Sequence, residues 1–364
     1  MATGDLTLGV EEEFCIVDAR SGALRPCAEA VVPLAKDRLG DQVEAELNRS
    51  QVETGTRVCA TLAEVRAELE RLRRLLREAA AEAGCGVISA GTHPTAVAAE
   101  DSGINPSKER YRRLEREFQA VAREQLVNGC HVHVGIADPD LAIDVLDRVR
   151  PWLAVVVALA ANSPFWAGAD SGYASYRTEV WARWPLTGTP ERLASRAEYD
   201  RLVADLQAVD ALSDATFLYW DVRPSARYET LEFRMADAAL GVDDAVMVAG
   251  LCRALVRTAA ADAATGRPPA PLRSELYQAA RWRAARYGVE GALVDLADRT
   301  TAPAADVVGN LLARLRPALE VDGDWDEVDA LVDGALHGGN GAVRQRAALA
   351  RRGDLDDVLA LLLG

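Results

Sequence analysis

Glu11 and Glu13 stand one residue apart inside Leu8-Gly-Val-Glu-Glu-Glu-Phe-Cys-Ile-Val17, a run otherwise dominated by apolar residues. Such a run predicts a β-strand, whose side chains alternate between faces, so Glu11 and Glu13 share one face and Val10, Phe14 and Ile16 the other. At a rise of roughly 3.3 Å per residue the two carboxylates are about 7 Å apart. Like charges that close call for a cation between them or a retained proton. The pattern returns further along the chain. Gln51-Val-Glu53 sets Glu53 opposite Val52, and His131-Val-His-Val-Gly-Ile136 sets both histidines opposite Val132, Val134 and Ile136. Tyr219-Trp-Asp-Val-Arg-Pro224 places Asp221 with Arg223, and Thr230-Leu-Glu-Phe-Arg-Met235 places Glu232 with Arg234. Glu12, on the apolar face beside Val10 and Phe14, has no evident partner.

An ordinary half-exposed antiparallel sheet also alternates. Solvated faces usually carry Lys, Thr, Ser and Gln, however, whereas these carry glutamate, histidine, aspartate and arginine with no lysine. The shared face therefore reads as an acidic cavity with arginines at hand, suited to divalent cations and a polyphosphate. The many carboxylates favour Mg2+ or Mn2+ as hard cations. Taken alone, the His131/His133 pair could equally hold zinc in a hydrolase, with His93 as a third ligand. Tyr173, Tyr176 and Arg177 could grip a substrate carboxylate, since arginine makes paired hydrogen bonds to one. The stretch His337-Gly-Gly-Asn-Gly341 could present backbone N–H groups to a phosphate or simply open a helix.

Helices must back these strands. Thr61-Leu-Ala-Glu64 is a capping box, and Leu62, Val65, Leu69, Leu72, Leu76 and Ala79 continue it at helical spacing until Gly84 and Gly86. Between Gly22 and Asn48 the sequence reads as irregular. A long helical region starts at Asp138, with Pro151 as a kink or second start. Beyond Leu240 the pattern is helical, and Thr265 to Pro271 is the best linker-like break, although no new fold follows it. The expectation is an α+β fold and a single domain over residues 1–364, strand-rich over about 6–236 and helical over about 240–364.

The 364 residues, 49% of them hydrophobic, suffice for a large core. A net charge of -15 and a pI near 4.9 argue against nucleic acid or an anionic membrane as partner. The longest apolar run, Trp152 to Ala161, is far short of the roughly 20 residues that a bilayer demands, and the N-terminus lacks a signal pattern, so a cytoplasmic location is expected. Six cysteines occur singly, which suits reduced, buried thiols. Only Lys36 and Lys108 occur among the lysines, with no Gly-x-x-x-x-Gly-Lys loop, which excludes a P-loop nucleotide site.

Eight motifs in order then resemble one family: Gly9-Val-Glu-Glu-Glu-Phe14, Gln51-Val-Glu53, Gly91-Thr-His-Pro94, His131-Val-His-Val-Gly135, Asn162-Ser-Pro-Phe-Trp166, Gly172-Tyr-Ala-Ser-Tyr-Arg177, Trp220-Asp-Val-Arg-Pro224 and Gly339-Asn-Gly-Ala-Val-Arg-Gln-Arg346. The family is the carboxylate-amine ligases, or glutamate-cysteine ligase type 2, within the glutamine synthetase-like ligases. The resemblance implies a curved, mainly antiparallel sheet forming a funnel for ATP and two or three Mg2+ ions, with helices on its outer face. By the same resemblance Glu11, Glu13, Glu53, His131 and Glu232 are metal ligands, and Arg234 faces the ATP phosphates with Arg223 and His133 as further contacts. Arg177 and Tyr176 become candidate substrate contacts. The implied reaction joins a small-molecule carboxylate, the γ-carboxylate of glutamate, to an amine such as cysteine through an acyl phosphate. A zinc hydrolase built on His131 and His133, or a ligase-like enzyme with a specialised biosynthetic substrate, are the alternatives. A homodimer is compatible with the sequence.

Overall fold

The computed structural model describes residues 6–97 and 101–364. The Leu8–Val17 run forms β1, the strand on which the sheet is assembled. It pairs antiparallel with β3 (Gln51–Gly55) on one side and with β5 (Gly129–Gly135) on the other, while β4 (Gly86–Ile88) pairs with its C-terminal end. With β2 (Val43–Ala45), β8 (Val222–Pro224) and β9 (Thr230–Asp237) the order is β2-β3-β1-β5-β9-β8. Two small hairpins lie apart from this seven-stranded sheet: β6 (Phe165–Trp166) with β7 (Ala169–Asp170), and β10 (Ala292–Asp295) with β11 (Thr300–Pro303).

Alternation puts the apolar residues of β5, β9 and the first part of β1 on one face. Leu8, Val10, Val132, Val134, Leu231 and Phe233 are buried there against Val246, Leu255, Val308 and Leu311, so the strands and the C-terminal helices share one core. Burying each such side chain contributes about 1.5–3 kcal/mol. The Val242–Ala264 helix runs through the middle of this layer. Helix α2 (Leu62–Glu82) starts where the capping box places it, with Thr61 accepting from the Glu64 N–H at 3.1 Å. Its Leu72 and Leu76 close a second cluster with Phe14, Ile16 and Val31.

The segment before β3 departs from expectation. It contains helix α1 (Ala28–Leu39) and strand β2, not an irregular run. Pro33 lies inside α1, where a proline normally argues against helix, and the buried Val31, Val32, Ala35 and Leu39 hold the helix in place. The cysteines are free thiols as expected, yet Cys27 and Cys85 meet at 2.9 Å between sulfurs, and burial pushes the Cys27 thiol up to about 12. Among the described residues no helix is long and apolar enough to cross a membrane.

Candidate active site

Strand register brings the charged residues together. Glu13 lies opposite Glu53 across β1 and β3, Glu11 opposite His131 across β1 and β5, and His133 opposite Glu232 across β5 and β9. Arg223 on β8 in turn faces Glu232. Directly opposed side chains have Cβ atoms about 4.5–5.5 Å apart, so each pair is within ligating or hydrogen-bonding reach. A register shift between Cys130 and Val132 interrupts the β5–β9 ladder beside His131. Such bulges re-aim side chains next to functional sites.

These side chains line a cleft of about 250 Å³. Two groups in it can each hold a cation: Glu11 with His133 and Glu232, and Glu11 with Glu53 and His131, each with ligand atoms within 4.8 Å of one another. Glu11 belongs to both, so two ions could share its carboxylate. His133 hydrogen-bonds through Nδ1 to the Thr230 hydroxyl at 2.9 Å, while its buried Nε2 lies 3.5 Å from Glu11 and has no hydrogen-bond partner. This is how a metal-ligating histidine is usually oriented, one nitrogen anchored and the other presented. His133 thus stands with Glu11 and Glu232 in a group that could hold a cation, whereas the sequence reading makes it only a nucleotide contact. The orphaned nitrogen and the hard, carboxylate-rich donors fit Mg2+ or Mn2+.

The charge states agree with this geometry. Burial works against the charge on Glu11, but the hydrogen bonds and charges of His131 and His133 outweigh it and hold the carboxyl well below its usual range. Glu232 is likewise held low despite burial, by the charges of Arg234 and Arg223. Glu13 is pushed up to about 7 by burial and by the charge of Glu46. Burial and the charges of Glu11, Glu46 and Glu13 raise Glu53 well above the carboxylate range. His131 drops to about 4 through burial and the charge of Arg234, so it is neutral and able to ligate at neutral pH. The raised Glu13 beside a lowered Glu11 eases the repulsion between the two carboxyls of β1.

Glu46 belongs to this group and was not expected. It lines the cleft, its carboxylate accepts from the Tyr111 hydroxyl at 2.6 Å, and its charge bears on both Glu13 and Glu53. The alternation Val43-Glu-Ala-Glu-Leu47 was the available signal.

The arginines divide by role. Arg234 lies on the cleft wall, paired through one nitrogen with Glu232 and stacked 5.7 Å over the Trp181 ring, and its Nε is buried without a partner. An arginine on the wall of such a cleft could meet an anion. Arg223 also lines the cleft, but its donors are engaged: two reach Glu232 at 2.8 and 3.0 Å, and a third reaches the carbonyls of Thr216 and Leu218 at 2.8 Å each. It orients Glu232 with two of its donors, and four of its five N–H groups are engaged in this way.

Four expectations change. Arg177 is buried beneath the cleft instead of lining it, with its guanidinium on the backbone carbonyls of Arg234 and Met235 at 3.2 and 3.5 Å. A Cβ at position 129 would lie 2.5 Å from the Arg177 guanidinium and 2.9 Å from His131 Nε2, so any larger residue there must displace one of them. Tyr176 is also outside the lining, packed against Trp166 and Tyr173 at 5.6 and 5.8 Å between ring centroids. Asp221 leaves the shared face to accept from Tyr277 at 2.6 Å and to pair with Arg281 at 2.9 Å. The zinc alternative loses its geometry, since His131 and His133 fall in separate groups and His93 is used on the Gly22 carbonyl and the amides of Thr95 and Ala96. The glycine-rich stretch is a helix start: Asn340 accepts from the Val343 N–H and donates to the Ala158 carbonyl, and Gly341 presses on Asn162.

A protein of Frankia alni carrying the provisional name glutamate-cysteine ligase 2-2 is 47% identical over 99% of this chain and 97% of its own length. A Rhodopirellula baltica protein provisionally named glutamate-cysteine ligase 2 is 40% identical over 97% of this chain and 95% of its own length. Among solved structures, the glutamate-cysteine ligase of Francisella tularensis in complex with AMP superposes with a TM-score of 0.73 at 12% identity, covering 98% of this chain and 87% of that one. The bifunctional glutathione synthetase of Pasteurella multocida gives 0.70 at 17% identity, covering 98% of this chain and 51% of that one, which supports the same fold. Relatives, fold and site together define an ATP-dependent carboxylate-amine ligase. Residues 7–360 match the glutamate-cysteine ligase family 2, and the chain belongs to it.

Proposed function

We propose that this ligase joins the γ-carboxylate of glutamate, or of a similar amino acid, to an amine such as cysteine at the expense of ATP. The observation that carries the reading is Glu11, shared between two groups that could each hold a cation, with Arg234 on the same cleft wall. Mg2+ or Mn2+, when bound, would neutralise the phosphates and the charge developing during transfer.

The chain's own groups divide the work. Glu11, His133 and Glu232 would hold one cation, and Glu11, Glu53 and His131 another, with Glu13 and Glu46 beside the second. Arg234 would clamp the transferred phosphoryl group by charge-assisted hydrogen bonds, and Arg223 would keep Glu232 in place. The substrate carboxylate oxygen would attack the γ-phosphorus of ATP, breaking its bond to the bridging oxygen and releasing ADP. The amine nitrogen would then attack the acyl carbon of the resulting acyl phosphate, expel inorganic phosphate and lose its extra proton.

Glu232→Gln tests this directly. It removes the charge that pairs with Arg223 and Arg234 and completes one cation group. ADP formation with glutamate, cysteine and Mg2+ should disappear while the far-ultraviolet spectrum stays native. Unchanged turnover would remove Glu232 from the site.

A further inference from the structure

Glu12 lies between the two site glutamates on β1 but points into the core, where it is fully buried. Arg73 of α2 meets it there with two donors, Nε at 2.9 Å and Nη2 at 2.5 Å, and is itself 4% exposed. The same guanidinium donates to the Ala239 and Leu240 carbonyls at 2.8 and 3.1 Å. Those carbonyls follow the end of β9, the strand that carries Glu232 and Arg234. In the sheet β5 separates β1 from β9, so Arg73 reaches across the back of β5 and ties the two outer strands together. The groups that must converge on the front face, Glu11 and Glu13 on one strand and Glu232 on the other, belong to those same strands.

A buried ion pair of this kind is a poor source of stability. Desolvation offsets most of its attraction, and well-packed apolar residues of similar volume often serve as well or better. Its geometric effect is different in kind, because a bidentate arginine with two further carbonyl contacts leaves little freedom along or across the strands. We propose that the Glu12–Arg73 pair is a positioning device for the cation site: from behind the sheet it sets the spacing between β1 and β9, and hence between Glu11 and Glu232. This inference rests on the ligand set described above. Neither residue touches substrate or cation.

The test replaces the pair and reads cation binding separately from stability. The double variant Glu12→Leu/Arg73→Met should fold, with a melting temperature within a few degrees of the parent, and should bind Mn2+ about tenfold or more weakly by calorimetry and by the loss of the free-ion resonance signal. Arg73→Lys, which keeps the charge but not the fork, should retain the fold and fall between the two in Mn2+ affinity. Should the double variant fail to fold, the lysine variant alone decides. Parent-like Mn2+ affinity in a folded variant would overturn the proposal. A parent protein that binds no Mn2+ would instead overturn the ligand set on which it rests.

Discussion

Glu13 and Glu53 show why residue type alone did not settle the site. The sequence exposes two acids on one strand and a third on its neighbour, but which of them carry protons depends on burial and on Glu46. Glu13 is raised to about 7, so below that pH a cation must displace its proton. Glu53, a member of one cation group, is raised as well, so cation affinity is predicted to rise with pH from the acid side, with protons released on binding. Calorimetry of Mn2+ binding at pH 6 in two buffers of different ionisation enthalpy checks this. Equal heats in both would show that no proton leaves. The roles of the arginines were legible only in part for the same reason. Position on the face marks Arg223 and Arg234 alike, and only the structure shows that Arg223 binds two backbone carbonyls besides Glu232 while Arg234 keeps an unpartnered Nε.

At the scale of elements, β1, β5, β9 and α2 were legible because their periods are clean and a turn or cap bounds them. Helix α1 was not, since Pro33 breaks the local rule and tertiary burial of Val31 and Leu39 overrides it. Missing α1 and β2 also hid Glu46, which enters the cleft from the turn that follows β2. The Glu12–Arg73 contact could not be read at all, because it joins residues from different elements through the core. Helix α2 therefore matters to the site as well as to packing. Thr61→Ala removes the acceptor for the Glu64 N–H at the start of this helix. It should cost about 1 kcal/mol of stability, seen as a lower denaturant midpoint with an unchanged slope. A midpoint equal to that of the parent would show that the cap contributes nothing.

Across the whole molecule, the apolar face of one sheet packs on helices and its charged face becomes a cleft. The fold class was legible because five strands repeat one alternation, whereas the packing of Tyr176 on Trp166 and Tyr173 was not, because a dense aromatic loop looks the same in sequence beside a cleft or away from one. Membership of glutamate-cysteine ligase family 2 joins these observations to one type of chemistry. The central claim is that the cleft couples ATP cleavage to joining a carboxylate with an amine. Its most direct test is ADP release with Mg2+ over a panel of amino acids and amines, each supplied alone and in pairs. Sustained ADP release is expected only when a carboxylate and an amine are both present, glutamate with cysteine among the active pairs, with equal amounts of ADP and amide product. Hydrolytic turnover of any panel compound without ATP, or ADP release indifferent to both substrates, would contradict it.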